Sequence, residues 1–329
     1  MPKTEFKKLE GCWRQIRVEV EPETVRGAWE NILAGLQKEA QLPGFRKGKA
    51  PLNLIRNHFD EHIQRELLNR LVPETYQAAL EEHGLKPVAD PRINDLELTG
   101  EKLNYTAVFE VAPEVSLDSY SGLTLDNRKE LNEAELDQAL EEVLARNPQL
   151  QVQARDLKVR ENLKENLRRR MELQIQSINE RQEDERIIDQ LLERATLQPP
   201  EGLVKNRTME LVRHELSHQP DFKEKTLEAR EALVKELMEK FQPLAEREVK
   251  ASFVLSEVAA REKVEVTEAD IDNRIDILAR LSGQEQEEFK HHFDAEHRED
   301  LRAQLQVEKT LALLKKRALL IEKPRIVKA

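Results

Sequence analysis

One cysteine, few aromatics and no long apolar run set the first limits on this chain of 329 residues. Cys12, alone, can neither close an internal disulfide nor build a multi-thiolate metal site; it fits a reducing compartment and the role of a small core residue. Aromatics make up 4% of the chain and there are 10 glycines, against 36% charged residues, a balance that favours long, solvent-washed helices over tightly turned sheets. No apolar run approaches the length of a membrane span, and Met1-Pro2-Lys3-Thr4-Glu5-Phe6-Lys7-Lys8 lacks the apolar core of a signal peptide. A cytoplasmic location without membrane contact is therefore expected. The net charge of −11 argues against general nucleic-acid binding, because affinity for phosphates grows with the number of cationic contacts. Any contact with RNA should be local.

One stretch reverses that field. Residues 40–59 contain no Asp or Glu but do contain Arg46, Lys47, Lys49 and Arg56. Pro43 and Pro51 keep the residues before them out of the helical region, and Gly44 and Gly48 permit backbone angles that other residues avoid. The segment thus interrupts a helical pattern as an exposed basic loop. With Phe45 beside Arg46 and Lys47, it suits a phosphate-rich or acidic surface on which guanidinium and ammonium groups meet anions while the ring adds an apolar contact.

The rest of the chain is arranged around this loop. Ile16, Val18 and Val20 alternate with polar residues and predict a strand, and Val25, Trp29, Ile32, Leu33, Leu36 and Ala40 predict a helix leading into the loop. Leu52, Ile55, Phe59, Ile63, Leu67 and Leu71 continue as a second helical stripe. The turn Thr99-Gly100-Glu101-Lys102 joins two further strands as a hairpin, giving an α+β domain of about three strands over residues 1–112. An extended connector is expected over 113–128, with a short strand at 123–125.

Everything from 129 to 329 reads as helix. Asn132 begins the first helix, which should stop at Asn147-Pro148. From about 157 to 195 there is neither Gly nor Pro, which predicts one long helix that is free to break near 179–184. Later helices are expected over 203–219, around Leu237 with a stop at Pro243, around Leu255, from Thr267 to Gly283, and on to Pro324. The fold class is an α+β domain followed by an elongated all-α body with helical arms.

The string Gly44-Phe45-Arg46-Lys47-Gly48-Lys49-Ala50-Pro51, set between two amphipathic helices, resembles the ribosome-docking signature of the trigger factor family of bacterial nascent-chain chaperones. Tyr105-Thr106-Ala107-Val108-Phe109-Glu110-Val111-Ala112-Pro113-Glu114-Val115 is similar to the strand leading out of that family's docking domain. The resemblance implies docking through Gly44, Phe45, Arg46, Lys47, Gly48 and Lys49 beside the polypeptide exit tunnel, on a ribosomal protein and nearby rRNA. It implies unfolded nascent polypeptides as clients and no cofactor, and it is compatible with a homodimer off the ribosome. The family's FKBP-type prolyl-isomerase insertion would enter at Asn147-Pro148-Gln149-Leu150, but the chain moves within a few residues into the long helix. No isomerase, and no enzyme, is therefore expected.

A competing motif is His214-Glu215-Leu216-Ser217-His218, which matches the H-E-x-x-H pattern of zinc peptidases. At 100° per residue both histidines point away from the Val212 and Leu216 ridge, whereas zinc ligands of this type must face a closed interior. His291-His292 with Glu288 is a weaker metal candidate. The alternatives to a docking chaperone are thus a zinc-dependent peptidase using His214, Glu215 and His218, or a holdase that works without the ribosome and whose basic loop is only a turn.

Overall fold

The structure, a computed structural model, describes residues 2–39, 45–126, 128–283, 289–290 and 293–321. It divides into two compact units that are each discontinuous in sequence: residues 1–114 with 197–250, and 115–196 with 251–329. The division along the chain at 112 and 128 and this grouping by contacts differ, because residues 197–250 return to the N-terminal domain. No described helix is long and apolar enough to cross a membrane.

In the first unit, β1 (Lys3–Lys8), β2 (Trp13–Val20), β3 (Arg92–Thr99) and β4 (Lys102–Glu110) form an antiparallel sheet in the order β1-β2-β4-β3. The register sets Ile16 opposite Ala107 and Val18 opposite Tyr105, so one pleated face presents a continuous apolar surface. Helices α1 (Pro22–Glu39), α2 (Leu52–His58) and α3 (Asp60–His83) bring Val25, Ile32, Ile63, Leu67 and Leu71 onto the helical side of this core. Helix α3 ends at Gly84 in the left-handed region, φ 62°, a conformation favoured at a helix C-terminus. The sheet has four strands rather than about three. The extra one, β1, reads KTEFKK and is almost wholly exposed at the edge, so it carries no alternating apolar signal.

The returning segment is α7 (Glu201–Ser217), a short 3-10 turn (Pro220–Glu224) and the beginning of α8 (Leu227–Glu262). Its attachment is polar. Glu110, at the end of β4 and only 2% exposed, accepts hydrogen bonds from the backbone N–H groups of Glu201 (2.6 Å) and Gly202 (2.7 Å), the first turn of α7. A buried carboxylate thereby meets the positive end of a helix and satisfies two of its otherwise unpaired donors. Gly202 is required by this approach, since a Cβ there would lie 2.6 Å from Glu110 Oε2 and 3.1 Å from Ala89 Cβ. Alongside, the buried Cys12 thiol donates to the Gln198 carbonyl at 3.4 Å, and burial pushes its pKa up.

Helix α8 runs straight through Pro243, where the sequence predicts a stop. An internal proline forfeits one backbone hydrogen bond and costs about 3 kcal/mol. Burial of Leu237, Ala245, Val249, Val254 and Val258 on either side offsets that cost, which propensity alone does not register.

The second unit is built on α6 (Leu157–Arg194), an unbroken helix of 38 residues, about 57 Å long at 1.5 Å per residue. The residues at which a break was allowed are instead anchors. Asn179 accepts from the Lys129 N–H (2.9 Å) and donates to the Lys129 carbonyl (2.8 Å), and Gln190 does the same for Thr124 at 3.0 and 2.8 Å. Buried Glu183 takes the Arg128 guanidinium through two oxygens at 2.6 and 3.2 Å. These side chains hold the connector extended along α6. There β6 (Thr124–Asp126) pairs in parallel with β8 (Leu319–Ile321), and β5 (Ser116–Leu117) pairs with β7 (Ala195–Thr196).

Helix α4 (Glu133–Arg146) folds back on α6 through a short helix α5 (Pro148–Gln153). Helix α4 stops before Asn147-Pro148 as the sequence predicts, and Pro148 then begins α5, a role its missing N–H allows at a helix start. Helix α9 (Glu268–Ser282) starts with the Thr267–Asp270 capping box and stops at Gly283, φ 70°, as the sequence predicts. Helix α10 (Ala295–Arg317) packs Leu301 and Leu305 against Ile271 and Ile275. It ends before Pro324, which lies outside the described residues.

Glu110→Ala should lower the stability of the first unit by roughly 1–3 kcal/mol, the cost of leaving buried donors unsatisfied, and amide exchange should speed up first in α7. A chemical denaturation series with exchange mass spectrometry measures both. Alkali should act through Tyr105, whose phenol burial pushes up to about 12. Its ordinary value is about 10, so its contribution is complete below pH 10 and lost as the pH rises from 10 towards 12. Tyr105→Phe should flatten that decline.

Candidate docking loop

The tip is built from its base upward. Gln37, in the last turn of α1, donates from Nε2 to the Ala50 carbonyl (2.9 Å), tying the loop's far end to the helix that leads into it. Ala50 and Ile55 are buried together under Leu33, Leu36 and Phe59, and Pro51 stands as the N-cap of α2. Arg56 lies over the Trp29 ring, 5.5 Å from its centroid, fastening α2 to α1 by a cation–π contact.

Above this base the chain turns at 46–49, closed by the Lys49 N–H donating to the Arg46 carbonyl at 2.9 Å. Gly48 sits at φ 79°, the positive value demanded of the third residue of a type II turn, with no atom within 4 Å of a Cβ position. Phe45 is 40% exposed. Arg46, Lys47 and Lys49 are exposed, and none has a side-chain partner among the described residues. The turn therefore presents three unneutralised cations and a ring on a pinned base, suited to phosphate or carboxylate. Gly44 lies outside the described residues, as does Ala40.

Sequence reasoning missed part of this surface. Leu52, read there as a packing residue, is exposed, as is Leu54, so α2 adds aliphatic surface immediately after the basic turn. A helix of only seven residues with one inward position, Ile55, is too short for a stripe to decide which leucines face in. A cleft of about 520 Å³ lies on the same domain, with Trp29, Leu33, Arg56, Asp60 and Leu98 among its walls.

The H-E-x-x-H motif is not assembled for metal. His214 and His218 are exposed, and Val212 of the same helix is buried, the opposed faces that helical spacing gives. His218 lies just beyond the end of α7, with Nδ1 2.9 Å from the His214 carbonyl oxygen and its ring 4.7 Å from the His214 ring. Among the described residues no group of three or more His, Cys, Asp or Glu side chains could hold a metal ion. The peptidase alternative finds no support, nor does the holdase working without the ribosome. Glu288, His291 and His292 lie outside the described residues.

Residues 2–143 match the family model described as "Bacterial trigger factor protein (TF)", and residues 161–316 match "Bacterial trigger factor protein (TF) C-terminus". Residues 144–160 lie between the two. The trigger factor of Bdellovibrio bacteriovorus is 32% identical over 160 residues, 48% of this chain and 37% of that protein. That of Trichlorobacter lovleyi is 41% identical over 118 residues, 35% of this chain and 27% of that protein. These matches thus span about a third of the length of the relatives concerned. The trigger factor of Carboxydothermus hydrogenoformans is 25% identical over 415 positions, 93% of this chain and 97% of that protein. Since that alignment is longer than the chain, part of that relative has no counterpart here. A solved structure described as "Promiscuous Substrate Recognition in Folding and Assembly Activities of the Trigger Factor Chaperone" shares the fold. It superposes with a TM-score of 0.57 at 15% identity, covering 95% of this chain and 99% of that one.

Removing metal should change nothing. Dialysis against a chelator is expected to leave the thermal unfolding curve of the protein, and of a His214→Ala, His218→Ala variant, where it was. Stoichiometric zinc in the purified protein, lost in that variant, would reverse this reading.

Proposed function

The chain belongs to the bacterial trigger factor family, and we propose that it is a ribosome-associated chaperone that docks through residues 44–49 and holds emerging unfolded chains in the cytoplasm. The observation that carries this reading is the basic turn, whose cations have no side-chain partner among the described residues and whose far end is tied to α1 through Gln37 and Ala50. In a chain of net charge −11, a local cationic tip directs contact with a strongly anionic surface to that loop. Phe45 supplies the apolar contact, Arg46 and Lys47 the ionic ones, Gly44 and Gly48 the backbone shape, and Lys49 assists. The partner is a ribosomal protein with adjacent rRNA.

Holding follows from the helical body. Leu173, Ile178, Ile277 and Leu281 are exposed among polar and charged residues such as Glu172, Gln174, Gln176, Glu180 and Arg280. Dispersed patches of this kind give an unfolded chain modest burial, about 25 cal/mol per Å², without trapping it. In this reading it does so without prolyl-isomerase chemistry, which is supported by residues 144–160 forming the end of α4, α5 and the start of α6.

Co-sedimentation with bacterial ribosomes tests docking. The intact chain should pellet and be released as salt rises. Phe45→Ala, Arg46→Ala, Lys47→Ala together should weaken binding by at least about tenfold while leaving the fold intact, since all three side chains are solvent-facing. Equal pelleting of the two proteins would sink the assignment.

A further inference from the structure

The bend between α4 and α6 differs from the rest of that helical pair. Along the two helices cations and acids are matched: Arg168 with Glu133, Lys164 with Asp137 and Arg160 with Glu141. At the bend the matching stops. Arg146, Arg155 and Lys158 are exposed and have no side-chain partner among the described residues. The one acid there, Asp156, is already engaged as the N-cap of α6, its carboxylate accepting the Lys158 N–H at 2.9 Å. Beside these cations Val152 is 61% and Leu157 78% exposed. The base beneath them is firm, because Ala154 and Leu150 turn inward onto Leu140, Leu144, Leu163 and Leu167. The bend also coincides with residues 144–160, the segment between the two family-model matches.

We propose that this bend is a gripping surface for extended stretches of unfolded polypeptide that are both acidic and apolar. The proposal rests on the chaperone reading and adds to it which clients are held, and where. Three cations without side-chain partners among the described residues, gathered at one bend in a chain of net charge −11, select for negative charge. Two aliphatic side chains standing clear of the core supply apolar contact, and neither offers a ring for stacking nucleobases, which favours polypeptide over RNA. Gln149, Gln151 and Gln153 are exposed on the same segment. A glutamine amide can hold both the N–H and the carbonyl of an extended chain, as Gln190 holds Thr124 in the same unit.

The test uses the full chain and two fluorescein-labelled unstructured peptides, one alternating Glu with Leu and Val, the other with Lys in place of Glu. Fluorescence anisotropy should show tighter binding of the acidic peptide, weakening with salt. Arg155→Glu with Lys158→Glu should reduce its affinity by about tenfold, two lost ionic contacts of somewhat under 1 kcal/mol each. Val152→Ser with Leu157→Ser should reduce it comparably. All four side chains are solvent-facing and Glu in the first turn of α6 suits the helix dipole, so both variants should melt like the parent. Equal affinity for the two peptides, or affinity unmoved by either double variant, overturns the proposal. So does polyuridylate displacing the acidic peptide and losing affinity in the same variants, which would make the bend an RNA contact. Ribosome pelleting separates the two levels of argument: failure of the bend alone leaves pelleting intact, whereas a chain that neither pellets nor binds either peptide fails as a chaperone altogether.

Discussion

A buried carboxylate at the end of one strand governs the first unit. Glu110 terminates β4, which lies between β2 and β3 in the sheet, and its two oxygens take the opening N–H groups of α7. Burying a charge is costly unless its hydrogen bonds are met, and here the helix N-terminus supplies both the donors and the favourable dipole. Because the geometry also excludes a side chain at residue 202, the contact is specific to one pairing of strand end and helix start. Residues distant in sequence thereby become part of the same compact unit as the sheet.

The second unit solves a related problem with neutral groups. An extended connector has no ladder of its own beyond short pairs, so its backbone polar groups need partners. Asn179 and Gln190, eleven residues apart on α6, lie on one face after three turns, and each closes a two-bond ring with a connector residue. A long polar helix thus serves as an edge for extended chain. The same amides that look like weak points in a helix are what anchor it.

The legible parts were those with a strong local signal. Alternation from Trp13 to Val20, the hairpin at Gly100, the Thr267 capping box and the left-handed stop at Gly283 are written in adjacent residues, and each is where the sequence puts it. The basic turn was legible too, since prolines, glycines and absent acids mark it together. What escaped depended on distant partners. Nothing in KTEFKK announces β1, because an exposed edge strand needs no apolar period, and nothing around Pro243 announces that packing will carry α8 through it. The stop at Asn147-Pro148 is where the sequence puts it, while the short helix α5 that Pro148 then begins escaped, proline being suited to both roles. The exposure of Leu52 escaped for want of helix length, and the return of residues 197–250 to the first unit is made by contacts, those of Glu110 and Cys12 among them, that no periodicity singles out.

The ion pairs between α4 and α6 step by four residues on both helices, so the members of every rung run in opposite senses at the same pace. Each such pair is worth little as energy, but together they act as a gauge of length. Adding one residue inside α6 between Lys164 and Arg168 would turn Arg168 by about 100° relative to Lys164 and carry it off Glu133. The phase of the rungs is therefore set inside the two helices, whereas the turns between them can take up added length.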